Sequence, residues 1–191
     1  MRLPAKQEQH TFADVLTWDE GEHIEIISGE PFMMATPSSG HQAISMEISR
    51  QLANFLEGKQ CKVFPAPFGV RLFEQDGDRP EEVDTVVEPD ISVICDRNKI
   101  DKHGCKGAPD LIIEILSPST RRHDRIVKLN LYQRAGVREY WMVDPENQSV
   151  MVCLPDSSGS FRLCEDYGPQ DVAKVNVLDG CFIELSKVFS E

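Results

Sequence analysis

Between Ile44 and Leu56 the apolar residues Ile44, Ile48, Leu52, Phe55 and Leu56 recur at helical spacing and predict one amphipathic helix. Pro37-Ser38-Ser39-Gly40 opens it and Gly58 ends it. Leu111 to Leu116 is almost wholly apolar, the pattern of a central strand covered on both faces. Glu139 to Val143, Ser149 to Leu154 and Phe161 to Cys164 read as a meander, and Asp179-Gly180 as a hairpin turn before Phe182 to Leu185. Upstream, Thr11-Phe12-Ala13-Asp14 carries a capping-box pattern for a brief helix into Trp18. His23 to Ile27 and Pro31 to Met34, joined by Ser28-Gly29-Glu30, predict a hairpin. Short strands follow at Cys61 to Phe64, Gly69 to Phe73 and Ile91 to Cys95. Ser117-Pro118-Ser119-Thr120 supplies N-cap residues for a second helix through Ala135, with Gly136 as its stop. The pattern is that of an α/β (α+β) protein, one sheet with two principal helices.

The 191 residues are read as a single domain, 1–191. A content of 40% hydrophobic and 27% charged residues excludes the disordered and membrane-spanning classes. No apolar run approaches the ~20 residues of a bilayer span, and the first ten residues lack a secretory pattern. The six cysteines stand singly, with no C-x-x-C pair, and predict reduced thiols in a cytoplasmic protein. Cys95, His103 and Cys105 match no zinc spacing. The formal charge of −12 repels polyanions, so a nucleic-acid reading needs local positive charge. Glu74 to Glu88 holds seven acids against Arg79 and reads as a solvated loop.

Three charged residues stand where the pattern calls for apolar ones. Strand alternation puts Glu114 on one face with Ile112 and Leu116. A carboxylate there must be protonated, paired or metal-bound. It reads either as a strand-end partner for an arginine or as a metal ligand. Asp90 follows Pro89, which holds the preceding backbone extended and delivers the aspartate at the entry of a neighbouring strand. It is a turn residue, or it joins Glu114 on one Mg²⁺, a hard cation that keeps several waters and needs few protein ligands. Lys128 shares a helix face with Leu131, Tyr132 and Ala135. It either pairs with Asp124 one turn earlier or points toward the sheet.

Other positions stay open. Glu47 borders the apolar stripe of the first helix and is a possible addition to the carboxylate cluster, or an exposed helix glutamate. His41 reads as a surface or capping histidine, and Glu25 as ambiguous within its hairpin. Arg121, Arg122, Arg125, Lys128, Arg134 and Arg138 gather around the second helix, and Arg97, Lys99, Lys102 and Lys106 follow the Asp90 strand. They form a phosphate-binding rim or a merely solvated basic face.

Pro89-Asp90-Ile91-Ser92-Val93, then Gly107 through Thr120 with its Asp110-Leu111-Ile112-Ile113-Glu114-Ile115-Leu116 core, then Asp124 through Lys128, resembles a large bacterial family. It is a family of restriction-endonuclease-like proteins within the PD-(D/E)xK nuclease superfamily. Tyr132 through Pro145, Glu25 through Glu30 and Pro37 through Gln42 continue the likeness over nearly the whole chain. The resemblance implies a restriction-endonuclease-like core, a mixed sheet flanked by helices with extra N- and C-terminal hairpins. It implies a Mg²⁺ (or Mn²⁺) site in which Asp90 and Glu114 are the two acids. The chain departs from the superfamily pattern at Leu116, where lysine is usual, and Lys128 looks like a relocated substitute.

The expectation is then a metal-dependent endodeoxyribonuclease. Asp90, Glu114 and the Ile115 carbonyl would hold the metal, Glu47 would assist, Lys128 would act on the attacking water, and Arg121, Arg122 and Arg125 would contact DNA. A homodimer would cut both strands, and no membrane is involved. The alternatives are an inactive nucleic-acid- or protein-binding module and a hydrolase of smaller phosphate esters.

Overall fold

A computed structural model describes residues 9–18, 23–117 and 123–190. The helices are α1 (Phe12–Val15), α2 (Ser39–Leu56), α3 (Leu129–Ala135) and α4 (Leu185–Val188). The first strands are β1 (Ile24–Ile27), β2 (Glu30–Met33), β3 (Lys62–Pro65), β4 (Val70–Arg71) and β5 (Val86–Val87). Then come β6 (Ile91–Ile94), β7 (Ile100–Asp101), β8 (Gly104–Lys106), β9 (Leu111–Ile115) and β10 (Glu139–Asp144). The last are β11 (Ser149–Pro155), β12 (Phe161–Tyr167), β13 (Val172–Lys174) and β14 (Phe182–Glu184).

The central sheet has the order β12-β11-β10-β9-β6-β3, with β9 and β10 parallel and the other neighbours antiparallel. Every residue of β9 is buried, as its apolar run requires. Leu111, Ile113 and Ile115 face Ile44, Ile48 and Leu52 of α2, together with Leu185 and Val188 of α4. Ile112 and Leu116 face the other way, onto Leu131 and Tyr132 of α3 and onto Val70, Val87 and Cys105. Those last three belong to a second sheet, β2-β1-β5-β4-β8-β7. The central sheet therefore lies between α2 on one side and α3 with the second sheet on the other.

The second sheet corrects the expectation of one sheet. Beyond the β1–β2 hairpin its strands β5, β4, β8 and β7 are two or three residues long, too short to show an alternation. The acid-rich stretch from Glu74 to Glu88 also contributes to it: Val83, Thr85, Val86 and Val87 are buried, while Asp76, Asp78, Glu81 and Glu82 stay exposed. Parallel pairing of β4 with β8 brings Gly104 against Gly69. A Cβ at Gly104 would lie 2.0 Å from the Gly69 carbonyl oxygen, and its φ is +122°. Only glycine permits that approach.

The expectation of six reduced thiols also fails. Cys153 and Cys164 are registered partners on β11 and β12, and Cys61 and Cys95 stand one step beyond the Lys62–Ile94 pair of β3 and β6. Both pairs are disulfide-bonded. Antiparallel pairing brings side chains together irrespective of sequence spacing, so the absence of C-x-x-C carried no information here. Cys105 and Cys181 remain buried thiols, pushed by burial up to about 12 and about 11.

Candidate functional site

Glu114 lies on the β9 face toward α3 and is 3% exposed. The Lys128 ammonium donates to its Oε1 over 2.9 Å, and the Tyr132 hydroxyl donates to the same oxygen over 2.5 Å. Lys128 is itself 3% exposed. It ends a π-helical stretch, His123–Lys128, that runs directly into α3. Of the predicted stripe, Lys128, Leu131 and Tyr132 are buried and Ala135 is partly buried, and Gly136 ends the helix at φ +84°. The lysine therefore points at the sheet. Of its predicted N-cap residues, Pro118, Ser119 and Thr120 lie outside the described residues, as does the side chain of Asp124.

The same ammonium donates over 2.9 Å to Glu25 Oε1 of β1. Glu25, 3% exposed, also accepts the Glu88 N–H over 3.0 Å. One carboxylate of the second sheet thus ties Lys128 to the backbone two residues before Asp90. Burial pushes the Tyr132 phenol well above the ordinary tyrosine value, and the charges of Glu114 and Glu25 push it the same way. Tyr132 is therefore a hydrogen-bond donor at any physiological pH.

Asp90 stands at the entry of β6. The β6–β9 ladder ends at the Ile91–Ile113 pair, so Ile115 extends past it. Asp90 takes the place of the missing strand: its Oδ2 accepts the Ile115 N–H over 2.7 Å. His41 Nε2 lies 3.1 Å from the same oxygen. Asp90 is thereby joined to the residue that follows Glu114, and the two acids sit at the same strand ends. Ile115, the expected carbonyl ligand, is 2% exposed.

The other candidates fall elsewhere. Glu47 accepts from Arg50 (2.6 and 2.8 Å) and from Gln51 (3.0 Å), all on its own helix. Hydrogen bonding from Arg50 holds its carboxyl below the usual range. Arg125 is exposed, its Nη2 3.3 Å from Asp144 Oδ2. Arg121 and Arg122 lie outside the described residues. Several basic residues of the proposed rim have local partners: Lys106 pairs with Asp76, Arg138 with Asp110, and Lys99 donates to the Ala108 carbonyl.

Two contributors escaped the sequence reading as site residues, His41 and Glu25. His41 is three residues before Ile44 and so begins the buried stripe of α2. Glu25 stands between Ile24 and Ile26 in a four-residue strand that looks half-exposed in sequence, but both Glu25 and Ile26 are buried. Among the described residues, no three His, Cys, Asp or Glu side chains form a ready-made metal cluster.

Similarity to known proteins agrees with this architecture. An uncharacterized protein of Synechocystis sp. is 29% identical over 153 residues, which is 78% of this chain and 76% of that protein. The crystal structure of a “putative nuclease belonging to DUF820” from Anabaena variabilis superposes with a TM-score of 0.73. That likeness covers 94% of this chain and 97% of the other at 21% identity, and it shows a shared fold. The sequence profile of the Uma2 family, described as “Putative restriction endonuclease”, matches residues 12–186, and the chain belongs to that family.

Proposed function

We propose that this protein is a divalent-metal-dependent endonuclease that hydrolyses DNA phosphodiester bonds at the Asp90–Glu114–Lys128 site. The observation that carries the reading is the meeting of Lys128 with Glu114 beside Asp90, although the lysine lies 14 residues downstream of the glutamate. Leu116, at the place usual for lysine, is 3% exposed and packed in the core. The relocated ammonium supplies the positive charge that this position lacks.

The donors fit Mg²⁺ or Mn²⁺. Asp90, Glu114 and the Ile115 carbonyl offer oxygen only, the chemistry a hard cation takes, and the shortage of further protein ligands suits an ion that keeps waters. When bound, the ion polarises a phosphodiester oxygen and lowers the pKa of a bound water.

The chain's own groups do the rest. Lys128 orients the attacking water for in-line displacement and balances negative charge that builds on the phosphorus. Glu25 and Tyr132 hold the ammonium and Glu114 in register. Arg125, Arg121 and Arg122 are the proposed phosphate contacts. Because cutting both strands at once takes two sites, the same reading includes a homodimer.

The engagement of Lys128 by two carboxylates favours a second reading, a module that keeps the fold and binds nucleic acid or protein without cutting. Plasmid incubated with the protein and Mg²⁺ or Mn²⁺ separates the two. Nicking or linearisation that disappears in Asp90→Asn and Glu114→Gln supports the nuclease. Intact plasmid with the wild type, or cutting that survives both substitutions, refutes it.

A further inference from the structure

We infer that His41 is a positioning residue for Asp90, fixing which carboxylate oxygen is turned toward a metal; this rests on the metal-site reading above. The placement follows from the start of α2. Ser38 is the N-cap, and its Oγ accepts the His41 N–H over 3.2 Å. His41 is thus the third residue of the helix, locked in its first turn. Ile44 and Ile48 lie on the same stripe three and seven residues on, and both are buried against the central sheet. The stripe that docks α2 therefore carries the imidazole to the strand end where Asp90 stands.

An ionised carboxylate only accepts, so the Nε2–H of His41 donates to Asp90 Oδ2. The second donor to that oxygen is the Ile115 main-chain N–H. Two donors from different elements, α2 and β9, converge on one atom and stop the carboxylate from turning about its last torsion. Oδ2 is committed to them, and Oδ1 would be the oxygen left to hold a metal. The His41 and Asp90 side chains are 15% and 13% exposed, so the pair is largely shielded from water that would otherwise loosen it. The Ile115 donor belongs to the backbone and survives any side-chain substitution. Orientation of Asp90 by a side chain therefore falls to His41. Outer partners of metal ligands, when removed, reduce metal affinity by about 10–100-fold.

The experiment is Mn²⁺ titration of the full chain by isothermal calorimetry, with melting temperatures recorded without metal. Wild type, His41→Gln and His41→Leu are compared. Glutamine returns an N–H donor near the position of Nε2, whereas leucine fills the space without one. The expected result is a Kd about 10–100-fold weaker for His41→Leu and close to wild type for His41→Gln. A purely structural role would lower both metal-free melting temperatures and leave the Mn²⁺ Kd unchanged, and that outcome overturns the inference. Equal weakening in both variants overturns it as well, because the donor would then be irrelevant. Failure of the wild type to bind Mn²⁺ removes the metal-site reading itself, and shows this before any substitution is compared.

Discussion

Replacing Lys128 with methionine tests the buried bridge directly. Methionine fills similar space, so the loss is of charge rather than of packing. The Lys128, Glu25 and Glu114 side chains are each 3–4% exposed, and each carboxylate lies 2.9 Å from the ammonium. After the change Glu25 retains the Glu88 N–H and Glu114 the Tyr132 hydroxyl, but two buried carboxylates have lost their shared counter-ion. Breaking a buried ion pair from one side costs about 3–5 kcal/mol. At about 2–4 °C per kcal/mol for a chain of this size, the melting temperature falls by about 6–20 °C. Urea denaturation at neutral pH gives the free energy and scanning calorimetry the temperature. The triple variant Lys128→Met, Glu25→Gln, Glu114→Gln removes the two carboxylate charges as well and is expected to regain most of the loss. A penalty below about 1 kcal/mol, the range of exposed pairs, would refute the bridge, as would a triple variant no more stable than the single one.

Tyr132→Phe removes a donor to a buried carboxylate and is expected to cost about 1.5–3 kcal/mol in the same urea assay. It also changes the alkaline limb. The Tyr132 phenol is raised in the folded state, so its contribution is fully present below the ordinary tyrosine value near 10 and is lost as pH rises past it, because the unfolded chain ionises first. The fall in stability above about pH 10 is therefore shallower in Tyr132→Phe, and an unchanged slope would contradict the buried phenol. Alkylation of unfolded, unreduced protein should label Cys105 and Cys181 alone, with Cys61, Cys95, Cys153 and Cys164 joining after reduction. Peptide mass mapping reads this, and six labelled cysteines before reduction would exclude both disulfides.

Much of the scaffold was legible because long periodic segments carry their own signal. The stripe of α2 buries Ile44, Ile48, Leu52 and Leu56, the apolar run of β9 is wholly buried, and the meander β10–β12 pairs as expected. Glu114 and Lys128 stood out for the same reason: each interrupts an apolar pattern that is otherwise intact. The second sheet was legible only in part: its β1–β2 hairpin and a strand around Val70–Arg71 were expected, whereas Val86–Val87, Ile100–Asp101 and Gly104–Lys106 are too short for period two and the first of them sits in an acidic run. Arg71, 1% exposed, is likewise explained only by the tertiary structure, where it meets Glu74 and Asp101 and lies over the Phe12 ring. Glu25 and His41 join the site through partners 103 and 49 residues away, contacts that no local spacing encodes.

The span between Glu25 and Lys128 has a consequence for how the molecule is made. On the ribosome Glu25 emerges long before its counter-ion, and the hairpin that carries it must wait for more than half the chain. Contacts that close so long a loop demand chain entropy before they return any attraction. The acidic pocket is consequently among the last parts to mature, and a nascent chain halted between residues 114 and 128 carries both glutamates without the lysine that bridges them.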